Sequence, residues 1–233
     1  MMGLWAVVPA AGASRRMASE VPKQYATIAG EAVLEHTLRR LLAHPDILGI
    51  VVALDPSDEY TATVPSLNNP RVSTVSGGAE RADSVLSGLN ALTTRAQAED
   101  WVIVHDAARP CLPLLDLERL IGYVNEHRCG AILAEPSVDT IKQVDNKGQI
   151  VGTLDRAHLW RAQTPQMFRL HELRAALASC LARGDVITDE ASAMESGDFS
   201  VHVVAGSACN IKITVAEDLT LAEMYLQSQL RVG

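Results

Sequence analysis

Short apolar runs alternate with amphipathic stretches along most of this chain. Residues 4–8, 47–54, 101–104 and 131–134 are almost wholly apolar, and 71–75 and 201–204 are shorter runs rich in valine. Runs of this length, apolar on both faces, predict strands buried on both sides. Between them, residues 31–43 carry Val33, Leu34, Leu38, Leu41 and Leu42 at helical spacing, and 81–92 turn Val85, Leu86 and Leu89 inward. Further helices are predicted over 115–124, 170–182 and 217–230. Strand and helix in alternation predict βαβ units, hence an α/β fold with a mostly parallel sheet covered by helices on both faces.

The rhythm breaks over residues 139–154. Ile141 and Val144 precede Asp145-Asn146-Lys147-Gly148, and Ile150, Val151 and Leu154 follow. Turn residues between two short apolar segments predict a β-hairpin. An isolated hairpin is marginal in water, so this one needs its own core or another subunit. A homodimer arm is the sharper reading. The chain then reads as one domain, 1–233, with a dimerisation arm inserted at 137–157.

Composition narrows the partners. The 233 residues are 48% hydrophobic, enough for a sizeable core in one domain. A net charge of −8 argues against nucleic acid or an anionic membrane as partner. A polyanionic ligand would therefore need a local cationic pocket. Cys111, Cys129, Cys180 and Cys209 are widely spaced, with no C-x-x-C or H-E-x-x-H, which argues against zinc and for free thiols in a reducing compartment. With no signal peptide or membrane span in the sequence, the expectation is a cytoplasmic protein.

Three loops that follow predicted strands carry chemistry. The first is Pro9-Ala10-Ala11-Gly12-Ala13-Ser14-Arg15-Arg16-Met17, closed by Pro22-Lys23. Small residues let backbone N–H groups approach an anion, and the cations beside them add charge. The loop lacks the P-loop and dinucleotide patterns. The second runs from Gly77-Gly78 to Ser84 and the third from His105-Asp106 to Arg109. In such sheets ligands bind outside the carboxyl ends of the strands, so the fold gathers all three loops at one edge. Asp106 at that edge suits Mg²⁺ or a hydroxyl, the alternative being an N-cap or an ion pair with Arg109. His105 points to the opposite face and reads as structural. Lys212, between Ile211 and Ile213, is either a snorkelling surface residue or a cation delivered into the site, and Arg156 has the same ambiguity. Thr188 is placed to cap a helix, with Asp189 and Glu190 in its first turn.

Taken together, these segments form a longer pattern. Pro9-Ala10-Ala11-Gly12-x-Ser14-x-Arg16-Met17 with Pro22-Lys23-Gln24 resembles the signature of nucleotidyltransferases. Added to it are Gly77-Gly78-x-Glu80-Arg81, Asp83-Ser84-Val85, His105 to Pro110, Asp139-Thr140, Thr164-Pro165-Gln166, Thr188 to Ala191 and Asn210-Ile211-Lys212. In that order, across essentially the whole chain, they resemble the 2-C-methyl-D-erythritol 4-phosphate cytidylyltransferases of the non-mevalonate isoprenoid pathway. The resemblance implies a Rossmann-like α/β domain whose β-arm clasps a second subunit. It implies transfer of CMP from CTP to methylerythritol phosphate, with Mg²⁺ and release of pyrophosphate.

By motif, Ala10, Ala11, Gly12, Ala13, Ser14 and Arg16 would cradle the triphosphate, with Arg16 and Lys23 stabilising the transition state. Gly78, Ala79 and Ser84 would read the cytosine. Asp106 and Ala107 would lie at the nucleotide, with Asp106 also the metal ligand, and Arg109 beside the substrate. Thr140 and Arg156 from the partner's arm would join Thr164, Thr188 and Lys212 in holding the polyol phosphate. Two positions depart from the family. Cys209 stands where many members have an acidic residue, which would leave Asp106 as the one carboxylate for the metal. Ala79 replaces a residue that is often acidic or polar, so backbone groups would meet the base there. The nucleophile, a phosphate monoester, is already largely dianionic at pH 7 and needs no general base. Another polyol phosphate such as ribitol 5-phosphate, or a nucleotide-binding module without turnover, would use the same loops.

Overall fold

The structure is a computed structural model and describes residues 2–12 and 21–230. In chain order its elements are β1 (Leu4–Pro9), β2 (Thr27–Ile28), β3 (Glu31–Ala32), α1 (Val33–Leu42), β4 (Ile47–Leu54), β5 (Val72–Ser76), α2 (Arg81–Leu92), β6 (Trp101–Val104), α3 (Leu114–His127), β7 (Gly130–Pro136), β8 (Lys142–Val144), β9 (Ile150–Thr153), β10 (Trp160–Arg169), α4 (Leu170–Arg183), α5 (Glu190–Ser196), β11 (Val201–Ala205) and α6 (Glu217–Leu230). The main sheet has seven strands in the order β11-β7-β10-β6-β1-β4-β5. All neighbours are parallel except β10, which runs antiparallel to both β6 and β7.

Strand alternation divides the core between the two faces of the sheet. Leu4, Ala6 and Val8 of β1 pack with Leu34, Leu38 and Leu117 from α1 and α3. Trp5 and Val7 face Val85, Leu89, Leu173 and Leu177 from α2 and α4. A strand buried on both faces must be apolar at every position, and β1, β4 and β6 are. A third, smaller cluster seats α6 through Ala222 and Leu226 on Ile28, Val33 and Ile213.

The sequence reading assigned no strand to 160–169, yet β10 lies near the middle of the sheet. Its alternation is hidden because Gln163, Thr164 and Gln166 are polar and buried. Their partners lie elsewhere in the chain: Gln166 donates to Asp189 Oδ2 (2.9 Å) and accepts from Ala191 N (2.8 Å), and Gln163 donates to Ser207 O (3.1 Å). Buried polar side chains are stable only when so satisfied.

The hairpin is present as its own two-stranded sheet, β8 with β9. Asp145 Oδ1 closes its turn by accepting from Lys147 N and Gln149 N (2.8 and 2.9 Å), and Gly148 takes φ 81°. Val144, Ile150 and Val151 on it are 53, 60 and 59% exposed. The four cysteines are free. Among the described residues no helix is long and apolar enough to cross a membrane.

Candidate active site

Because β1, β4, β5 and β6 are parallel, the loops after Pro9, Leu54, Ser76 and Val104 emerge at one edge of the sheet. They enclose a cleft of about 520 Å³. Ala10, Ala11 and Gly12 form one wall, Gly78, Ala79 and Ser84 another, Asp106 and Ala107 a third, and Lys23 and Lys212 border it. The antiparallel β10 brings its amino-terminal half to the same edge.

Each wall has a local cause. A Cβ on Gly77 would meet the Ala11 Cβ at 2.3 Å, so only glycine lets the β1 and β5 loops touch. A Cβ on Gly78 would meet the Asp83 Cβ at 2.3 Å. Ser84 Oγ then accepts from Gly78 N (3.1 Å) and donates to Glu80 O (3.2 Å), fixing the turn into α2. Glu80 and Asp83 form a capping box at that helix start. Lys23 opens a 3₁₀ turn whose next two residues are buried anchors. Gln24 Nε2 donates to Ala10 O (2.7 Å), and the Tyr25 hydroxyl donates to Asp58 while its ring stacks on Tyr60. Lys23 is thereby tied to the β1 loop. Ala13, Ser14 and Arg16 lie outside the described residues.

Asp106 sits at the cleft floor, two residues beyond β6, and is 6% exposed. Its backbone N donates to Thr164 Oγ1 (2.9 Å). Arg81 Nε lies 2.8 Å from Oδ1, Lys212 Nζ 2.8 Å from Oδ2, and Arg109 Nε 3.7 Å from Oδ2. Burial opposes ionisation, but these three cations outweigh it and hold the carboxyl well below the usual carboxylate range. Arg81 in turn gives both terminal nitrogens to Glu190, at 2.6 and 3.0 Å, and Glu190 is wholly buried. Burial works against the Arg81 charge, and its two carboxylate partners override that and raise its pKa.

Lys212 is delivered to the cleft, not left on the surface. Asn210 Nδ2 donates to Thr164 O (2.8 Å), Arg109 Nη1 to Asn210 O (2.6 Å), and Ile213 N to Ala108 O (2.9 Å). These bonds clamp 210–213 against 106–109. His105 is fully buried, with Nδ1 2.9 Å from Thr164 Oγ1 and Nε2 3.1 Å from Arg109 O. Burial pushes it down to about 4, so it is neutral and structural.

Several residues are placed differently from the sequence reading. Thr164 is buried beneath Asp106 and holds its backbone; it does not line the cleft. Arg109 packs behind Asp106, and its pairing there is longer than those of Arg81 and Lys212. Thr188 is not the helix cap: Asp189 is, accepting from Ser192 N (2.9 Å), and Thr188 is exposed one residue earlier. Thr140 and Arg156 lie exposed on the arm, where Arg156 donates to Val138 O. Cys209 does not line the cleft; its Sγ is 3.9 Å from Gln229 on α6. Sequence reasoning places Arg81 and Glu190 in the segments that carry the resemblance, and Glu190 in a helix's first turn, but gives neither a role in the cleft. One signal was there: Arg81 begins a helix, where a cation opposes the dipole unless it is paired.

Comparison with known proteins bears on the family and the fold. The family model described as 2-C-methyl-D-erythritol 4-phosphate cytidylyltransferase matches residues 4–228. A protein of that name from Photobacterium profundum is 48% identical over 232 residues, covering 98% of each chain. One from Aeromonas hydrophila is 52% identical over 228 residues, 97% of this chain and 91% of that one. A crystal structure described as 4-diphosphocytidyl-2C-methyl-D-erythritol synthase superposes with a TM-score of 0.83 at 37% identity, covering 97% of this chain and 100% of the other. The Francisella tularensis 2-C-methyl-D-erythritol 4-phosphate cytidylyltransferase gives 0.81 at 35% identity, over 96% and 99%.

Proposed function

The chain belongs to the 2-C-methyl-D-erythritol 4-phosphate cytidylyltransferase family, and from that premise we propose how its cleft carries the reaction. The enzyme transfers CMP from CTP to 2-C-methyl-D-erythritol 4-phosphate, giving 4-diphosphocytidyl-2-C-methyl-D-erythritol and pyrophosphate. An oxygen of the acceptor phosphate attacks the α-phosphorus of CTP, and the bond to the bridging oxygen of the β-phosphate breaks. No proton need be removed, since the acceptor phosphate is already largely dianionic. The obstacle is the repulsion between two anions, which positioned cations offset.

In this reading the cytosine lies against Gly78, Ala79 and Ser84, and the triphosphate runs past Ala10, Ala11 and Gly12. Lys23 and Arg16 stabilise charge as pyrophosphate departs. Lys212 faces the acceptor side, and Arg109, behind Asp106, holds the segment that carries it through Asn210 O. The observation that carries the reading is Asp106 at the floor of a glycine-walled cleft, with Lys212 2.8 Å away.

Mg²⁺ fits this donor set as a companion of the nucleotide. Among the described residues no three His, Cys, Asp or Glu side chains are grouped to hold a metal unaided. Mg²⁺ usually takes one or two carboxylates and completes its shell with phosphates and water. Asp106 would be that carboxylate, each oxygen keeping a lone pair beyond its one close cation. The ion would supply charge neutralisation at the phosphates.

A homodimer is the reading that covers the arm. Its support is the exposed apolar set Val144, Ile150 and Val151 on a hairpin that forms a sheet of its own. Thr140 and Arg156 would then reach the partner's cleft. Four free cysteines favour a reducing compartment, the cytoplasm.

The test is pyrophosphate release with CTP, Mg²⁺ and methylerythritol 4-phosphate, run beside ribitol 5-phosphate and the other nucleoside triphosphates. Release with the first pair alone is expected. Release with ribitol 5-phosphate instead would move the acceptor assignment.

A further inference from the structure

We propose that Arg81, held by Glu190, is a positioning residue that fixes the plane of the Asp106 carboxylate beneath the nucleotide. The inference rests on the reading of Asp106 given above. The geometry is a chain of alternating charge, Glu190–Arg81–Asp106–Lys212. Arg81 spends both terminal nitrogens on Glu190, at 2.6 and 3.0 Å, leaving Nε for Asp106 Oδ1 at 2.8 Å. A planar guanidinium gripped at two points cannot turn, so its third donor has one direction.

The other cations at Asp106 do not grip the carboxylate in this way. Lys212 offers a rotatable ammonium and is about one-third exposed. Arg109 is held by Asn210 O through Nη1, and its Nε, 3.7 Å from Oδ2, makes no hydrogen bond among the described residues. The Asp106 main chain is held separately, by Thr164 Oγ1. Arg81 is therefore the group that sets the side chain's orientation.

Glu190 has a second consequence. Arg81 borders the cleft. Without its counterion, that cation would be drawn toward a triphosphate and away from Asp106. Glu190 is wholly buried, and a buried carboxylate persists only when paired. It also begins α5, whose first turn is tied to β10 through Gln166. The Asp106 side of the cleft and the Thr188 segment are thus joined through one ion chain.

The test uses Arg81→Lys, which keeps the charge but loses the fork, and Glu190→Gln, which keeps the shape but loses the charge. Each is combined with a melting curve and kcat at saturating CTP. Asp106→Asn and the double variant Arg81→Lys/Asp106→Asn complete the set. The expected result is a kcat lowered by about 10–100-fold in either single variant, with one cooperative melting transition retained. The double variant should be no slower than Asp106→Asn alone, because both changes act through one carboxylate. Parental kcat in both single variants overturns the proposal. So does a loss in the double variant that multiplies the two single losses, which is what a merely structural tie between α2 and α5 would give. If Glu190→Gln does not fold, Arg81→Lys with the double variant decides alone. Parental turnover in Asp106→Asn would instead overturn the reading of Asp106 itself, and this inference with it.

Discussion

At the carboxyl edge of the sheet, Asp106 has Arg81 and Lys212 each at 2.8 Å, and Arg81 is gripped by Glu190. On the β8–β9 arm, Val144, Ile150 and Val151 stand more than half exposed, on strands that among the described residues pair only with each other. The cleft takes its order from its own chain, through residues as far apart as 81 and 190. The arm has its turn and register from local chemistry but, among the described residues, no cover for its apolar face. This difference divides the proposed mechanism: on that reading the nucleotide side is built by one chain, whereas the acceptor side would draw Thr140 and Arg156 from a second copy.

The largest effect is expected at Lys23. Lys23→Ala should lower kcat by about 10²–10³-fold, the usual loss for one preorganised electrostatic group. Steady-state pyrophosphate release checks this, and an almost unchanged kcat would remove Lys23 from the chemistry. Gly77→Ala probes the same side by packing. With Ala11 at 2.3 Å from the new Cβ, one of the two loops must move. A stability loss of about 1–3 kcal/mol and weaker CTP binding are expected from melting curves and calorimetry.

Acid should reach the cleft before the arm. Burial holds the His105 pKa at about 4, below its ordinary 6.5. The unfolded chain then binds the proton more readily than the folded one. Stability is complete above about pH 6.5 and falls as the pH drops toward 4, by at most about 3 kcal/mol. His105→Gln should flatten the melting temperature across that window; an unchanged slope would show that His105 is not its source. The smallest effect is expected on the arm. Ile150→Lys should leave the melting of the main fold nearly unchanged while shifting sedimentation toward a monomer at micromolar concentration. A dimer of undiminished strength would move the interface elsewhere.

How legible these regions were in the sequence follows from the range of their interactions. β1, β4 and β6 show as apolar runs because both faces are buried. The hairpin shows through Asn146-Lys147-Gly148, and the loops through runs of small residues beside cations. Each of those signals is local. β10 was hidden because its buried Gln163, Thr164 and Gln166 look like loop residues until their partners at Ser207, Asp106 and Ala191 are known. The Arg81–Glu190 pair spans 109 residues and has no spacing that reveals it. Thr188 is a capping residue by type, but Asp189, its neighbour, performs that role.

The division between a self-contained cleft and a borrowed arm is tested most directly by mixing two inactive chains. Lys23→Ala disables a cleft and leaves its arm intact; Arg156→Ala does the reverse, and is assayed at acceptor concentrations well below the KM of its own weakened site. When equal amounts are unfolded together and refolded, half the dimers pair one chain of each kind, and each such dimer holds one site with both parts intact. Pyrophosphate release should recover to about a quarter of the parental rate. Recovery no greater than the sum of the two separate variants would contradict the account, because Arg156 would then serve the cleft of its own chain or none.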